Sequence, residues 1–269
     1  MRISKNEAKY LRSLSQKKVR QTERKFLLEG WRALKEAMNA QVVVESINVL
    51  PRFLEDADYQ NILNEVRQRH IPLRELSEIE LRQISETVHA QGVIAVVQKK
   101  DQELSDRILK KSDVIVAADA VSDPGNVGSL LRTSDWFGAD LVLLGSGCVE
   151  LYNEKVVRST VGSLFHLPVV EDVNLPAELA ELKKSGFRIT ALSGDGKTDY
   201  QSAEWGRKNV VVLGSEAHGV GKEVRSVADS IVRIPKFGRA ESLNVGVACG
   251  IVLAHLKIVN PKLQSFLTF

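Results

Sequence analysis

Two hydrophobic rhythms alternate along the second half of this chain. Short runs of Val, Ile and Leu stand at VIVAAD (114–119), LVLLG (141–145), FRITAL (187–192), NVVVLG (209–214) and SIVRIP (230–235), with a further short one at LPVV. Such runs, bounded by Gly, Asp and Ser, read as strands. Between them the apolar residues recur every three or four positions, the helical period. This predicts helices over SLLRTSDWFG, EKVVRSTVGSLF and PAELAELKKSG, a short one after SEAHGVG, and a closing helix. In that last helix Val245, Ala248, Cys249, Val252 and Leu256 fall on one stripe. Ser242 is its candidate N-cap, although Val245 stands where a capping box would place Glu or Gln. Strands this continuously apolar belong to a sheet covered on both faces.

The first half alternates too, on a smaller scale. SKNEAKYLRSLSQKKVR reads as a basic helix or arm, and Phe26, Leu27, Trp31, Leu34 and Met38 give a helical stripe around Gly30. VVVESINVL is a predicted strand, DADYQNILNEVRQRH a helix, IPLREL a strand and SEIELRQISET a helix; HAQGVIAVVQ closes the unit as a strand entered through Gly92. The charged segment that follows has few large apolar residues, as a linker would. The expected organisation is an N-terminal domain over 1–98 with its basic arm, a linker over 99–112 and a larger α/β domain over 113–269.

Charge changes this picture at one end only. The whole chain carries +3, yet residues 1–35 hold eleven Lys/Arg against three Glu, which leaves the remainder at −5. A concentration of this kind suggests a surface that meets phosphates, as in a nucleic-acid-binding protein; a solvated helix face is the plainer alternative. No apolar stretch is long enough to span a membrane, and MRISKNEAKYLRS lacks the apolar core of a secretory signal. Cys148 and Cys249 are far apart in apolar surroundings, as reduced thiols in a cytoplasmic protein would be. The five His show no metal-ligand spacing, and no metal is expected.

Three loops leave the carboxyl ends of predicted strands, where open α/β sheets bind ligands. The first, within DPGNVGSLLRTSDWFGAD, holds Asn126 between Gly125 and Gly128, with Arg132 in the helix beyond; the second, SEAHGVG, holds Ser215, Glu216 and His218; the third, IPKFGRAESLN, holds Glu241, Ser242 and Asn244. A polar loop running into a helix N-terminus suits an anionic or zwitterionic ligand. These residues supply donors and acceptors but no activated nucleophile. GSGCVE has Glu150 in place of the third glycine of a dinucleotide fingerprint, and neither a phosphate-binding GxxxxGK[ST] nor a GxSxG elbow is present. His218 has no partner identifiable from sequence.

Taken together, DPGNVGSLLRTSDWFGAD, VVLGSEAHGV and IPKFGRAESLNVGVACGI resemble, in order and spacing, the three motifs of the SpoU (TrmH-like) RNA 2′-O-ribose methyltransferases of the SPOUT class. KVVRSTVGSLFHLPV resembles an intervening family segment, and KFLLEGWRALKEA and HAQGVIAVV resemble the substrate-binding domain that often precedes the catalytic one. The resemblance covers nearly everything after residue 20. Departures are mild: Ala217 stands where glycine is common and Thr160 where serine is common.

The resemblance implies a SPOUT α/β domain with a deep C-terminal trefoil knot, an exception to the rule against threaded chains, preceded by a small α/β RNA-substrate-binding domain. It implies a homodimer, and S-adenosylmethionine held by Leu213, Gly214, Ser215, Glu216, Ile234, Ser242 and Leu243. It implies a catalytic set of Arg132, Asn126, Glu216, Ser242 and Asn244. Two roles stay open for Arg132: gripping a phosphate so as to orient the ribose, or acting as a perturbed proton acceptor. Asn126 and Glu216 would fix Arg132 or the ribose, and Ser242 and Asn244 would shape the cofactor loop. Large-subunit ribosomal RNA is the expected substrate. Transfer RNA, or a non-catalytic RNA-binding assembly factor on the same fold, are the alternatives.

Overall fold

The computed structural model describes residues 2–85, 87, 90–260 and 263. Glu86 and His89, within two of the predicted segments, lie outside the described residues. The chain forms two compact units: Met1–Lys100 with Tyr152–Phe165, and Asp101–Leu151 with His166–Phe269.

In the first unit the elements are α1 (Lys5–Ser13), α2 (Lys17–Glu23), β1 (Lys25–Glu29), α3 (Trp31–Asn39), β2 (Val44–Val49), α4 (Gln60–Gln68), β3 (Leu73–Glu75), α5 (Glu78–Ile84) and β4 (Val93–Gln98). The sheet order is β1-β4-β2-β3, antiparallel except for the parallel pair β2–β3. Phe26 and Leu27, expected in a helical stripe, lie in strand β1; Gly30, at φ +101°, breaks the chain between strand and helix, as glycine permits. The basic segment is folded. Ser4 and Glu7 form a reciprocal capping box on α1, and Leu11 and Leu14 bury among Leu27, Leu81 and Ile94. Arg20, only 3% exposed, donates to the carbonyls of Leu14 and Ser15 at 3.0 and 2.5 Å, satisfying the end of α1.

The second unit holds α6 (Asp106–Lys111), β5 (Val114–Asp119), α7 (Pro124–Trp136) and β6 (Leu141–Gly145). The chain then contributes α8 (Glu154–Thr160) to the first unit. It resumes with β7 (Val169–Val173), α9 (Leu175–Lys184), β8 (Phe187–Leu192), β9 (Thr198–Asp199), β10 (Lys208–Gly214), α10 (Lys222–Val227), β11 (Ser230–Arg233) and α11 (Val245–Val259). Seven strands form a parallel sheet in the order β7-β6-β5-β10-β8-β11-β9. Ile115, Ala117, Leu143, Ile189, Val210 and Val212 make its core. Leu104, Ile108 and Leu109, in the stretch whose charge reads as a linker, pack on this core around α6. From β5 the chain moves outward to one side through β6 and β7, and from β10 it moves to the other side to β11, so the carboxyl ends of the paired strands β5 and β10 mark a topological switch point.

Two local corrections concern the site. The helix expected from Ser129 begins at Pro124: Asp123 caps it, accepting from the Asn126 backbone N–H at 2.9 Å, and Pro124 fits its first turn. Asn126 and Gly128 are therefore helical, not loop. Ser242 does not cap α11; Asn244 does, its Oδ1 accepting from Gly246 N and Val247 N at 2.9 and 3.3 Å. Ser242 is two residues too early to reach those donors.

Candidate active site

The three loops converge on the carboxyl edge of the parallel sheet because all its strands run the same way. After β5, Ala120–Asp123 leads into α7; after β10, Ser215–Gly221 leads into α10; after β11, Ile234–Asn244 leads into α11. Small residues let the helices approach. A Cβ added to Gly246 would sit 2.5 Å from Ser129 Oγ, so glycine there lets the start of α11 rest against α7. Ser129 Oγ in turn donates to the Asn126 carbonyl at 3.0 Å.

That approach builds a chain of side-chain hydrogen bonds. The Asn244 Oδ1 is committed to the α11 N-terminus, so its Nδ2 donates outward, to Asn126 Oδ1 at 2.6 Å. The Asn126 amide is thereby oriented, and its Nδ2 donates to Glu216 Oε1. Residues 126, 216 and 244 meet in a single network although the sequence separates them widely. A charge-assisted bond at its acidic end is the strongest link of such a chain.

Asp119, at the end of β5, pins the second loop: its Oδ2 accepts from Gly221 N at 2.7 Å. Inside the loop, Gly219 N donates to the Ser215 carbonyl at 2.8 Å, and Ser215 Oγ accepts from His218 N at 3.2 Å. Gly214 must be glycine, because a Cβ there would lie 2.0 Å from the Gly219 carbonyl carbon. Leu213 is buried, Ser215 and Ile234 are half-buried, and Glu216, Ser242 and Asn244 are exposed. Leu243 is 47% exposed and Phe237 97%, an apolar presence in an otherwise polar loop.

Arg132 stands apart. It is exposed on α7, and among the described residues its guanidinium makes no hydrogen bond or ion pair, with neither Asn126 nor Glu216 holding it. Asn126, Ser129 and Thr133 share the face of α7 toward α11, and Arg132 lies about 100° around the helix from Thr133. His218 is exposed, and its side chain has no hydrogen-bond partner among the described residues. Among the described residues no group of three or more His, Cys, Asp or Glu is placed to hold a metal ion. No described helix is long and apolar enough to cross a membrane.

Sequence reasoning missed Asp119 and the Ser129–Gly246 contact. The contact leaves no signal in spacing, but Asp123-Pro124 was a legible cap-and-proline start for α7.

A parallel sheet with three loops converging at its switch point defines an α/β protein of the kind that binds its ligand at the carboxyl ends of the strands. The profile of the SpoU rRNA Methylase family matches residues 113–254, and that of an MRM3-like substrate binding domain matches residues 5–95. The chain belongs to the SpoU rRNA Methylase family. It is 32% identical over 246 residues to the 23S rRNA (guanosine(2553)-2′-O)-methyltransferase RlmP of Bacillus subtilis, covering 91% of this chain and 94% of that protein. A crystal structure of an RNA 2′-O ribose methyltransferase superposes with a TM-score of 0.82 at 28% identity, covering 95% of this chain and 98% of the other. The SpoU methyltransferase AviRb from Streptomyces viridochromogenes, solved in complex with the cofactor AdoMet, gives 0.80 at 25% identity over 94% and 97% of the two chains.

Proposed function

We propose that this protein transfers a methyl group from S-adenosylmethionine to a ribose 2′-hydroxyl of RNA, with large-subunit ribosomal RNA as the substrate. The observation that carries the proposal is the Glu216–Asn126–Asn244 network, locked to the α11 N-terminus at the switch point of the sheet. Family membership and the activity named for the Bacillus subtilis relative support it. The reading includes the deep C-terminal trefoil knot that the resemblance implies, a homodimer and a cytoplasmic setting.

The loop residues fit the cofactor chemically. An adenosine joined to a charged amino acid needs apolar contact and polar anchors together, and Leu213, Ile234 and Leu243 alternate with Gly214, Ser215, Glu216 and Ser242 on these loops. When bound, S-adenosylmethionine supplies an already electrophilic methyl group. The chain's own task is then to position a weak nucleophile and take its proton. Asn126 holds one oxygen of Glu216, which fixes the carboxylate to receive or orient the 2′-hydroxyl proton. Arg132, exposed and unpaired among the described residues, is placed to grip the neighbouring phosphate with its planar fork. A guanidinium stays charged at ordinary pH, so we assign it the phosphate role rather than that of base.

The dimer is proposed to be isologous, with α11 at its interface. Trp136, Val247 and Ile258, large exposed apolar residues on α7 and α11, support that face. Light scattering should give twice the monomer mass at micromolar concentration. Mapping 2′-O-methyl positions in ribosomal RNA with and without the protein tests the activity: one position should depend on it. An unchanged map, together with no calorimetric binding of S-adenosylmethionine, overturns the proposal.

A further inference from the structure

The buried face of β2 carries two polar residues where the fold calls for apolar ones. Ser46 and Asn48, two positions apart, face the layer that contains Leu11 and Val96, and Asn48 is 1% exposed. Buried amides are normally satisfied. Here Asn48 Nδ2 reaches the Ile94 carbonyl only at 3.4 Å, and its Oδ1 has no hydrogen-bond partner among the described residues. Beside it a register shift between Val44 and Ser46 marks a bulge, and Glu45 at the bulge lines the same cavity. Bulges re-aim side chains and cluster near binding sites.

This cavity, of about 320 Å³, is lined by Tyr10, Leu11, Ser46, Asn48 and Val96, with charged residues around them. Its volume is at the lower end for small-molecule pockets, about 300 Å³. Its principal charges already neutralise one another. Glu45 accepts from Gln98 at 2.9 Å and pairs with Lys25 at 2.7 Å; Glu7 accepts from Ser4 N at 2.7 Å and pairs with Arg74 at 3.2 Å. A phosphate finds no spare cation among the lining residues; Glu7 and Glu45 have both oxygens engaged, and the third lining carboxylate, Glu23, is exposed to water at the end of α2. The unspent buried groups are two neutral ones, the Asn48 Oδ1 acceptor and the Tyr10 hydroxyl, beside an aliphatic floor.

We infer that this pocket of the first unit binds a neutral nucleobase, whose ring N–H or amino group donates to Asn48 Oδ1 while its ring lies against Tyr10, Leu11 and Val96. Stacking and one edge contact are how single bases are commonly held. The base comes from an unpaired nucleotide of RNA or from a free nucleoside. The RNA source rests on the methyltransferase reading above, whereas the pocket itself does not.

The test is a methyl-detected NMR titration of the full chain saturated with S-adenosylmethionine, labelled at Leu and Val. Adenosine, guanosine, cytidine and uridine are added in turn, then unstructured decaribonucleotides of each base. At least one base should move the Leu11 and Val96 methyl signals saturably. Asn48→Leu, which removes the acceptor at similar volume, should weaken that response about tenfold or more, and Tyr10→Phe should weaken it less. A response to nucleoside alone assigns the free source; a response to RNA assigns the unpaired nucleotide. If neither nucleosides nor RNA move these signals, or if Asn48→Leu leaves the response unchanged with the fold intact, the pocket assignment is wrong. Loss of methyl transfer with these shifts preserved counts against the catalytic reading instead.

Discussion

Asn244 donates to Asn126 at 2.6 Å with one end of its amide while the other end caps α11. The two duties separate by substitution. Asn244→Ala removes both and should lower stability by about 1 kcal/mol, the usual value of an N-cap, or about 2–4 °C in Tm for a domain of this size. Asn244→Asp keeps the cap but cannot donate to Asn126. It should unfold like the wild type and still lose most methyl transfer. Wild-type turnover in the aspartate variant would remove the network from the proposed mechanism.

Arg132 has no hydrogen-bond or ion-pair partner among the described residues, so its removal should be felt only in turnover. Arg132→Ala is expected to lower methyl transfer by roughly a hundredfold or more, with calorimetric S-adenosylmethionine affinity unchanged. Arg132→Lys should recover little, because an ammonium lacks the planar fork. A lysine variant near wild type would reject the fork while leaving the position in the site.

The basic residues of the N-terminal segment divide into two kinds. Lys5, Lys9 and Arg12 lie along one exposed face of α1 without partners among the described residues. Replacing them with Gln should weaken RNA binding and flatten its dependence on log salt by about 0.7 to 0.9 per lost contact, with Tm unchanged. Arg20→Ala should do the reverse, destabilising by about 1–3 kcal/mol through the carbonyls it leaves unsatisfied. An unaltered salt slope in the triple variant would make the stripe a solvated face.

Both thiols are held protonated. Burial pushes Cys249 up to about 12, with Ser134 opposing slightly, and burial pushes Cys148 up to about 11. Neither should react with a thiol reagent at pH 8 until the chain unfolds. Their ordinary value is 9.0, so the unfolded chain releases these protons first as pH rises. The stability they contribute is full below about pH 9 and is lost as pH climbs toward 11 and 12. Cys249→Ala should flatten the fall of the urea midpoint across that interval. Rapid native-state labelling of Cys249 would show that α7 and α11 part readily.

Much of the parallel unit was legible because its strands are nearly uninterrupted runs of Val, Ile and Leu. The first boundary of α7 was not, since Gly125 and Gly128 suggest a loop and the Asp123-Pro124 start outweighs them. β1 was lost for a different reason: Phe26 and Leu27 sit at helical spacing from Trp31, and only the positive φ of Gly30 separates the two elements. The site residues were legible as donors and acceptors on three loops. Their assembly was not, because it depends on Gly246 meeting Ser129, a contact between helices that neither periodicity nor composition records.

The place of β10 between β5 and β8 has a consequence for how the protein is made. Asn209 pairs across to Val114, and Lys208 to Phe187, so two earlier strands wait for a later one. Until residue 214 has emerged during synthesis, the backbone edges of β5 and β8 that will face each other across β10 have no neighbour. Unpaired edges on apolar strands are templates for association between nascent chains. The strand that closes the gap also delivers Glu216, whereas the outer edge of β8 waits for β11 and the network waits for Asn244 beyond it, so the site is completed only after the sheet.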